Sequence, residues 1–269
     1  MVTKINKKIL DSLYNKYNRK TFVSPDPLQF LYGYDNIDDR EIVGLIASVL
    51  AYGKVTQILK STNVILEKIT PEPSVFLNNS SPSKIKKLFP NFKHRFATGK
   101  EISSLLLAVR SVINKHGSLY SCFRSCSKAE QKTIIPALTE FTAILKEKAV
   151  DIKSNLLPSP KNGSACKRLN LYLRWMVRKD RVDPGGWDKI ETSKLIIPLD
   201  THMYKIGKAL EFTNRKQANL KAALEITEGF RAFIPADPVR YDFALTRFGI
   251  RDELDMNKFI RKLKGITPA

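Results

Sequence analysis

The sequence predicts an all-α fold. Apolar residues recur at helical spacing along most of the 269 residues, and the apolar (43%) and charged (27%) fractions are those of an ordinary globular protein. Strand-like runs are scarce, because the apolar run at residues 195–199 contains Pro198 and is too short to anchor a sheet. We therefore expect one unit over residues 1–269, in which non-adjacent helices pack as one or two lobes.

The helices are expected in a simple order along the chain. Asp38, with Glu41 three residues later, predicts the start of a helix, and Gly53 interrupts the pattern before a second segment at residues 55–69. Prolines and polar residues at 71–83 predict a connector. Further helices are expected at residues 100–116, 128–149, 216–233, 237–248 and 253–263.

The chain is strongly basic. It has 46 Lys and Arg against 26 Asp and Glu, a formal charge of +20. So large an excess favours a polyanionic partner, since neutralising phosphates releases their counterions. A membrane-surface protein usually concentrates its charge in a basic amphipathic helix or tail, and neither stands out. The sequence contains no apolar stretch of about 20 residues, so we expect no membrane span. The alternative is a protein that is merely soluble and basic.

The cysteines and histidines predict neither a disulfide framework nor a metal site. Cys122, Cys126 and Cys166 are odd in number and too few to staple a fold. His202 has no second His, Cys or acid at ligand spacing, so we expect no metal there. These features indicate a reduced, cytoplasmic protein. If its polyanionic partner is DNA, we expect it to associate with the nucleoid.

The first candidate for chemistry is Lys167. Prolines and the Asn162-Gly163 pair predict a turn, and Ser164 is expected to cap the apolar helix that follows. That helix is apolar on most sides and should be buried, with Lys167 in its first turn. Burial and the positive end of the helix dipole disfavour an ammonium group there, and a neutral amine is what a nucleophilic lysine requires. The alternative is a lysine that reaches solvent or contacts a phosphate.

The second candidate is Asp200. It follows the apolar run and precedes a helical pattern that includes Met203. One interpretation is a helix N-cap. The other is a carboxylate at the mouth of a cleft that moves a proton or stabilises a developing positive charge. The two are compatible, because a capping side chain is held rigidly.

A third segment, residues 235–245, contains two further acids. Asp237 followed by Pro238 predicts a helix start, with Phe243 packed inward. Arg240 and Asp242 are two residues apart and lie on different sides of a helix, so no ion pair between them is expected.

In chain order, these features resemble a known family. A turn that leads into a helix with an early lysine, followed by an apolar run ending in Asp200-Thr201-His202, is similar to the helix-hairpin-helix base-excision DNA glycosylases. This is the superfamily of endonuclease III and 8-oxoguanine glycosylase. Within it, the Gly-Ser-Ala-Cys-Lys-Arg and Pro-Leu-Asp-Thr-His blocks most resemble an uncharacterised bacterial group. Residues 46–55 and 237–245 are similar to family segments beside the base pocket.

The resemblance implies two helical lobes with a cleft between them and a helix-hairpin-helix element, the hairpin and catalytic region lying at about residues 155–210. It implies base-excision repair, in which a damaged base, 8-oxoguanine being the first expectation, flips out of duplex DNA. Lys167 is then the nucleophile and Asp200 its partner, and AP lyase cleavage can follow. The residues that it implies are Pro160, Lys161, Asn162, Gly163 and Ser164 for the DNA-binding hairpin, and Tyr52, Gly53, Lys54, Trp175, Asp237, Asp242 and Phe243 for the base pocket.

The chain departs from the family pattern at the hairpin. The usual Leu-Pro-Gly-Val-Gly is replaced by Pro160-Lys161-Asn162-Gly163-Ser164, which makes Lys161 the reserve candidate for the nucleophile. The cluster-binding cysteines of endonuclease III are absent, so no iron–sulfur cluster or other cofactor is expected. The alternative function is a non-catalytic DNA- or RNA-binding protein on the same scaffold, because a fold does not guarantee an activity.

Overall fold

A computed structural model describes residues 5–149, 151–152, 155–251 and 253–263. It confirms the all-α prediction, because the described residues form thirteen α-helices and one two-stranded antiparallel β-hairpin, with short 3₁₀ turns between them. Among these residues, no helix combines the length and apolar character that a membrane crossing needs. The helices are α1 Lys7–Tyr17, α2 Ile37–Val49, α3 Val55–Leu66, α4 Pro73–Asn79, α5 Pro82–Lys86, α6 Gly99–His116, α7 Leu119–Cys126, α8 Ile135–Lys148, α9 Lys167–Val177, α10 Thr201–Ala209, α11 Leu220–Arg231, α12 Asp242–Ile250 and α13 Met256–Leu263. The strands are β1 Lys93–His94 and β2 Ala97–Thr98.

Helix α9 is buried almost all round and packs along α2. Every residue from 169 to 177 except Leu171 is buried, which confirms the prediction from its apolar sequence. The two helices approach closely at Gly44, where an added Cβ would lie 3.2 Å from the ring of Tyr172. Since protein cores are close-packed, a side chain at position 44 would push the two helices apart.

Helices α6, α7 and α8 pack against one another, and α7 also contacts α2. Helix α6 begins with a capping box, in which the Thr98 hydroxyl accepts from the Glu101 amide and the Glu101 carboxylate accepts from the Thr98 amide. It ends at Gly117, whose φ of 87° favours glycine. These two signals define the ends of α6, whose observed bounds lie within one residue of the predicted range 100–116.

Helices α10 to α13, from the C-terminal part of the chain, pack together with α1 from its N-terminal part. Helix α12 contacts α1, α10 and α13, and α11 contacts α10. The first and the last helices of the chain therefore pack together, and one buried apolar cluster runs from Ile5 to Leu263.

Four predicted helix starts are wrong, each for a local reason. Helix α8 begins at Ile135 rather than at 128, since Pro136 is tolerated only in a first turn. Helix α12 begins at Asp242 rather than at 237, because the Asp237 carboxylate accepts from the Arg178 guanidinium at 3.0 Å instead of capping a helix. Helix α11 begins at Leu220 rather than at 216, because the Asn219 side chain caps the helix at that point. Helix α13 begins at Met256 rather than at 253, because the Asp255 carboxylate accepts from the Asn257 and Lys258 amides and so caps the helix there.

The predicted connector at residues 71–83 instead holds two short helices, α4 and α5. Each begins with a proline, Pro73 or Pro82, at the first helical position. Proline is favoured there because its fixed φ suits the helix and its missing N–H is not needed. The prolines therefore start helices rather than exclude them.

The caps expected for α2 and α9 are also wrong. Asn36 caps α2, its side chain accepting from the Asp38 amide at 2.9 Å. The N-cap position of α9 is Cys166, in the left-handed region with φ 45°, and it makes no side-chain cap bond. Ser164 instead accepts from the Cys166 amide at 3.2 Å, which stabilises the turn before the helix.

Candidate active site

An inner cavity of about 450 Å³ lies where α9, α10 and α12 meet. Tyr52 and Gly53 lie at one part of its wall, and residues 25–27 at another. We call this space the inner cavity and define it by residues Lys167, Leu171, Arg174, Asp200, His202, Asp242, Thr246 and Arg247, together with Tyr52 and Gly53. The two residues predicted to carry chemistry, Lys167 and Asp200, both line it although they come from different helices.

Lys167 is the first residue of α9, as predicted. It is half-buried, and its Nζ donates a hydrogen bond to the backbone oxygen of Ala51 at 3.2 Å. Among the described residues, no carboxylate lies within ion-pair distance of this amine. The amine is therefore held at the cavity wall by one neutral acceptor.

Asp200 is the N-cap of α10, which confirms that interpretation. Its Oδ1 accepts from the Met203 amide at 2.7 Å. Within the described parts of the chain, Oδ2 has no hydrogen-bond partner. The cap fixes the side chain, and one carboxylate oxygen remains for a molecule in the cavity.

Asp242, the first residue of α12, brings a second carboxylate to the cavity. Its Oδ2 accepts from Nη1 of Arg174, and its buried Oδ1 has no partner among the described residues. Burial raises the pKa of Asp242 to about 6, the Arg174 charge opposes this shift, and the negative charge of Asp200 adds to it. The cavity thus contains two acids in different settings. Asp200 caps a helix and is partly exposed, whereas Asp242 is fully buried.

Two arginines complete the charged lining. Arg174 also donates from Nε to Asp183 at 3.2 Å, and Arg247 pairs with Asp26 at 3.0 Å. The Arg247 guanidinium lies 4.1 Å from the centroid of the Phe243 ring. Both arginines are paired with acids, whereas the Lys167 amine has no acid within ion-pair distance among the described residues.

A surface groove of about 760 Å³ adjoins the inner cavity. We define it by Phe96, Asn162, Gly163, Ser164, Lys167 and Arg168, with Ala51 and Tyr52 shared with the cavity. Residues 160–162 form one 3₁₀ turn, and Gly163 follows with a φ of 73°. The Gly163 carbonyl accepts from the Leu220 amide at 3.0 Å, which ties the 160–164 turn to the start of α11. Pro160 is buried, and Lys161 is exposed outside the groove lining.

The other predicted pocket residues divide into two groups. Tyr52, Gly53 and Asp242 line the inner cavity. Trp175 and Phe243 are wholly buried in the core and do not line it, because they point to other faces of α9 and α12. The two remaining residues are also outside the lining: Lys54 is exposed at the N-cap position of α3, and Asp237 pairs with Arg178.

Sequence reasoning missed Arg174, although a signal was present. Lys167, Leu171 and Arg174 are spaced i, i+4 and i+7, so they share one face of α9. A second charge on the lysine face of an otherwise buried helix indicates that the face lines a polar space. Arg247 and Asp26 gave no such signal, because long-range folding brings them to the cavity.

No three described His, Cys, Asp or Glu side chains are placed to hold a metal ion. An amine and two carboxylates in one cavity, from Lys167, Asp200 and Asp242, are groups that can act in covalent and acid–base chemistry. The residues that define the inner cavity lie within a segment that matches a known protein family. A family profile described as "Protein of unknown function (DUF2400)" matches residues 26–251.

The chain belongs to the DUF2400 family. The match includes Lys167, Asp200, Asp242 and the whole 160–164 turn of this DUF2400 protein. No curated protein and no solved structure matched the chain.

Proposed function

We propose that this DUF2400 protein is a base-excision DNA glycosylase with AP lyase activity, related to the helix-hairpin-helix glycosylases. The observation that carries the proposal is that Lys167 and Asp200 line one cavity of about 450 Å³. They belong to different helices, and a separate sequence pattern points to each of them. Pockets of this size commonly hold small organic groups, and a flipped nucleotide enters such a pocket.

The proposed chemistry begins with Lys167. Its neutral amine attacks C1′ of the damaged nucleotide, a bond forms between Nζ and C1′, and the glycosidic bond breaks. The base leaves with the bonding electrons and takes up a proton. Asp200, with Oδ2 unpartnered among the described residues, stabilises the positive charge that develops on the sugar.

Strand cleavage follows from the same intermediate. The nitrogen on C1′ loses a proton, and its electron pair forms the C1′=N bond of the Schiff base as the C1′–O4′ bond breaks and O4′ takes up a proton. Loss of a proton from C2′ then breaks the C3′–O3′ bond, and the 3′ phosphate leaves with the bonding electrons. The position of Lys167 supports this role, because its amine lines the inner cavity and its one hydrogen bond among the described residues, to the Ala51 carbonyl, is to a neutral acceptor.

Charge and shape support DNA as the partner. The formal charge of +20 suits a phosphate backbone. In chain order, the 160–164 turn precedes Lys167 as the hairpin precedes the lysine in the helix-hairpin-helix glycosylases, which supports a DNA-binding role for this turn. Asn162, Gly163 and Ser164 line the surface groove that adjoins the cavity, and backbone amides of such a turn can bind phosphates without a charged side chain. The packing of α1 with α12 supports the interleaved lobes that the resemblance implies.

Borohydride trapping tests the proposal. The protein is incubated with duplexes that contain 8-oxoguanine, uracil or an abasic site, and borohydride is added to reduce any Schiff base. We expect a covalent adduct with the wild type, loss of that adduct in Lys167→Gln, and retention in the matched control Lys161→Gln. Loss of the adduct in Lys161→Gln alone would identify Lys161, rather than Lys167, as the nucleophile.

The absence of any adduct or strand break with every lesion would contradict the catalytic proposal. Duplex binding that persists in that case, unchanged by Lys167→Gln, would support the non-catalytic DNA-binding alternative. Preference for folded or single-stranded RNA in a competition assay would support an RNA-binding protein instead.

A further inference from the structure

Phe96 is the most exposed large apolar side chain in the described part of the chain. It is 66% exposed, against 45% for Val75, the next in order. Phe96 and Arg95 form the two-residue tip of the β-hairpin between β1 and β2, in which His94 pairs with Ala97. A single exposed apolar side chain is common on protein surfaces, so the position of Phe96 matters because the ring also lines the surface groove.

The β-hairpin is held firmly against the segment that borders the inner cavity. The Tyr52 hydroxyl donates to the His94 carbonyl at 3.0 Å, and His94 Nδ1 lies 2.9 Å from the Ser61 hydroxyl. Gly53, with a φ of 96°, allows a close approach, because a Cβ there would lie 2.9 Å from Nη1 of Arg95. The exposed ring is therefore at the end of a fixed support.

The surroundings of Phe96 are basic. Phe96 lines the surface groove together with Lys167 and Arg168. Lys93 and Arg95 beside it are exposed, and the Arg95 guanidinium lies 5.7 Å from the ring centroid. An apolar partner protein would not match these cations. A nucleic-acid strand would, because it presents phosphates to the cations and flat bases to the ring.

We propose that Phe96 is a wedge that enters the base stack of duplex DNA lying in the surface groove. Apolar side chains that insert between base steps unstack and kink the duplex. The ring would occupy space beside the nucleotide that enters the inner cavity, since the groove and the cavity share Ala51, Tyr52 and Lys167. The proposal rests on the proposed function for its DNA partner, and it requires no chemical step by Lys167.

A tryptophan at position 96 gives a direct test. The two native tryptophans, Trp175 and Trp187, are wholly buried. In the Lys167→Gln background, which cannot cleave the strand by the proposed route, we expect the emission of Phe96→Trp to be quenched when a duplex containing an abasic site is added. The matched control is Val75→Trp, at the other well-exposed apolar position on α4, whose emission should not change.

Affinity gives a second measurement. Phe96→Ala should weaken binding to the same duplex about 10- to 100-fold, the range expected for loss of one base–aromatic stack, and Val75→Ala should not. An unquenched tryptophan at 96, or equal affinity for wild type and Phe96→Ala, would overturn the wedge. So would binding of folded RNA in preference to duplex DNA. If these effects appear while borohydride trapping fails, the wedge stands and the catalytic proposal fails.

Discussion

Arg174 and Asp242 form a buried ion pair in the wall of the inner cavity, with side chains only 3% and 2% exposed. The pair joins the middle of α9 to the first residue of α12. Because Asp183 also contacts Arg174, the cavity wall is part of a larger network of buried charges. This arrangement makes the cavity sensitive both to pH and to the loss of single charges.

Asp242→Asn should change how stability depends on pH. The carboxyl has its pKa raised to about 6 by burial, so the folded state binds its proton more tightly than the unfolded state does. The stabilisation by this proton is complete below about pH 4 and is lost as the pH rises through about 6. Relative to Asp242→Asn, the wild type should therefore lose on the order of 3 kcal/mol of unfolding free energy between pH 4 and 7.

Urea denaturation at several pH values measures this difference. Asp35→Asn, at an exposed position, serves as the control and should run parallel to the wild type. A constant difference between wild type and Asp242→Asn over the whole range would show that Asp242 does not titrate there.

Asp200→Asn should separate folding from chemistry. Asparagine caps helices about as well as aspartate, so the unfolding free energy should change by less than about 0.5 kcal/mol. Excision should fall by about 10²- to 10⁴-fold, because the amide cannot stabilise positive charge or move a proton. Single-turnover cleavage of a lesion-containing duplex measures the rate, and thermal unfolding measures the fold.

Asp200→Ala is the companion variant. It removes the bond to the Met203 amide and should cost about 1 kcal/mol of stability. If Asp200→Asn cleaves at the wild-type rate, Asp200 is a structural cap and has no part in the reaction.

Glu41→Gln should destabilise the protein. The Glu41 carboxylate accepts from the amides of Leu119 and Tyr120, at 2.5 and 2.9 Å, and from the Trp187 indole at 3.1 Å. Burial raises the pKa of Glu41 to about 7, so its carboxylate is the main form at pH 8. A glutamine would turn an NH₂ group toward these donors, which should cost about 1–3 kcal/mol.

Chemical denaturation at pH 8 measures the effect, with exposed Glu130→Gln as the control. Equal stability of Glu41→Gln and wild type would mean that the α2–α7 junction does not depend on three bonds to one carboxylate.

Asp183→Asn should be the most destabilising of these changes. Asp183 is wholly buried and pairs with both Arg174 and Arg178. The change removes the one acid that both buried guanidinium groups share and breaks two buried pairs, although Arg174 keeps Asp242 and Arg178 keeps Asp237, and it should cost about 3–5 kcal/mol. Urea unfolding measures the loss, and exposed Asp188→Asn should change it little. A loss no larger than that of the control would contradict the network's structural role.

Local patterns were enough to predict several features. The helical spacing of apolar residues predicted the all-α fold and the buried α9, because one element's periodicity is encoded within it. Lys167 at the start of α9 and Asp200 as a cap were also predictable, because both depend on neighbouring residues. Boundaries failed where a single contact decided them, as at Asp237, whose carboxylate is taken by Arg178.

The sequence by itself determined the helix content, the positive charge, and the local settings of Lys167 and Asp200. Only the tertiary structure decided that these two residues line one cavity, that Asp242 and Arg174 lie in its wall, and that Trp175 and Phe243 do not. The physical reason is that helical periodicity is a property of nearby residues. Which faces meet depends on packing between segments far apart in the chain, and on pairing buried charges such as Arg174 and Asp242.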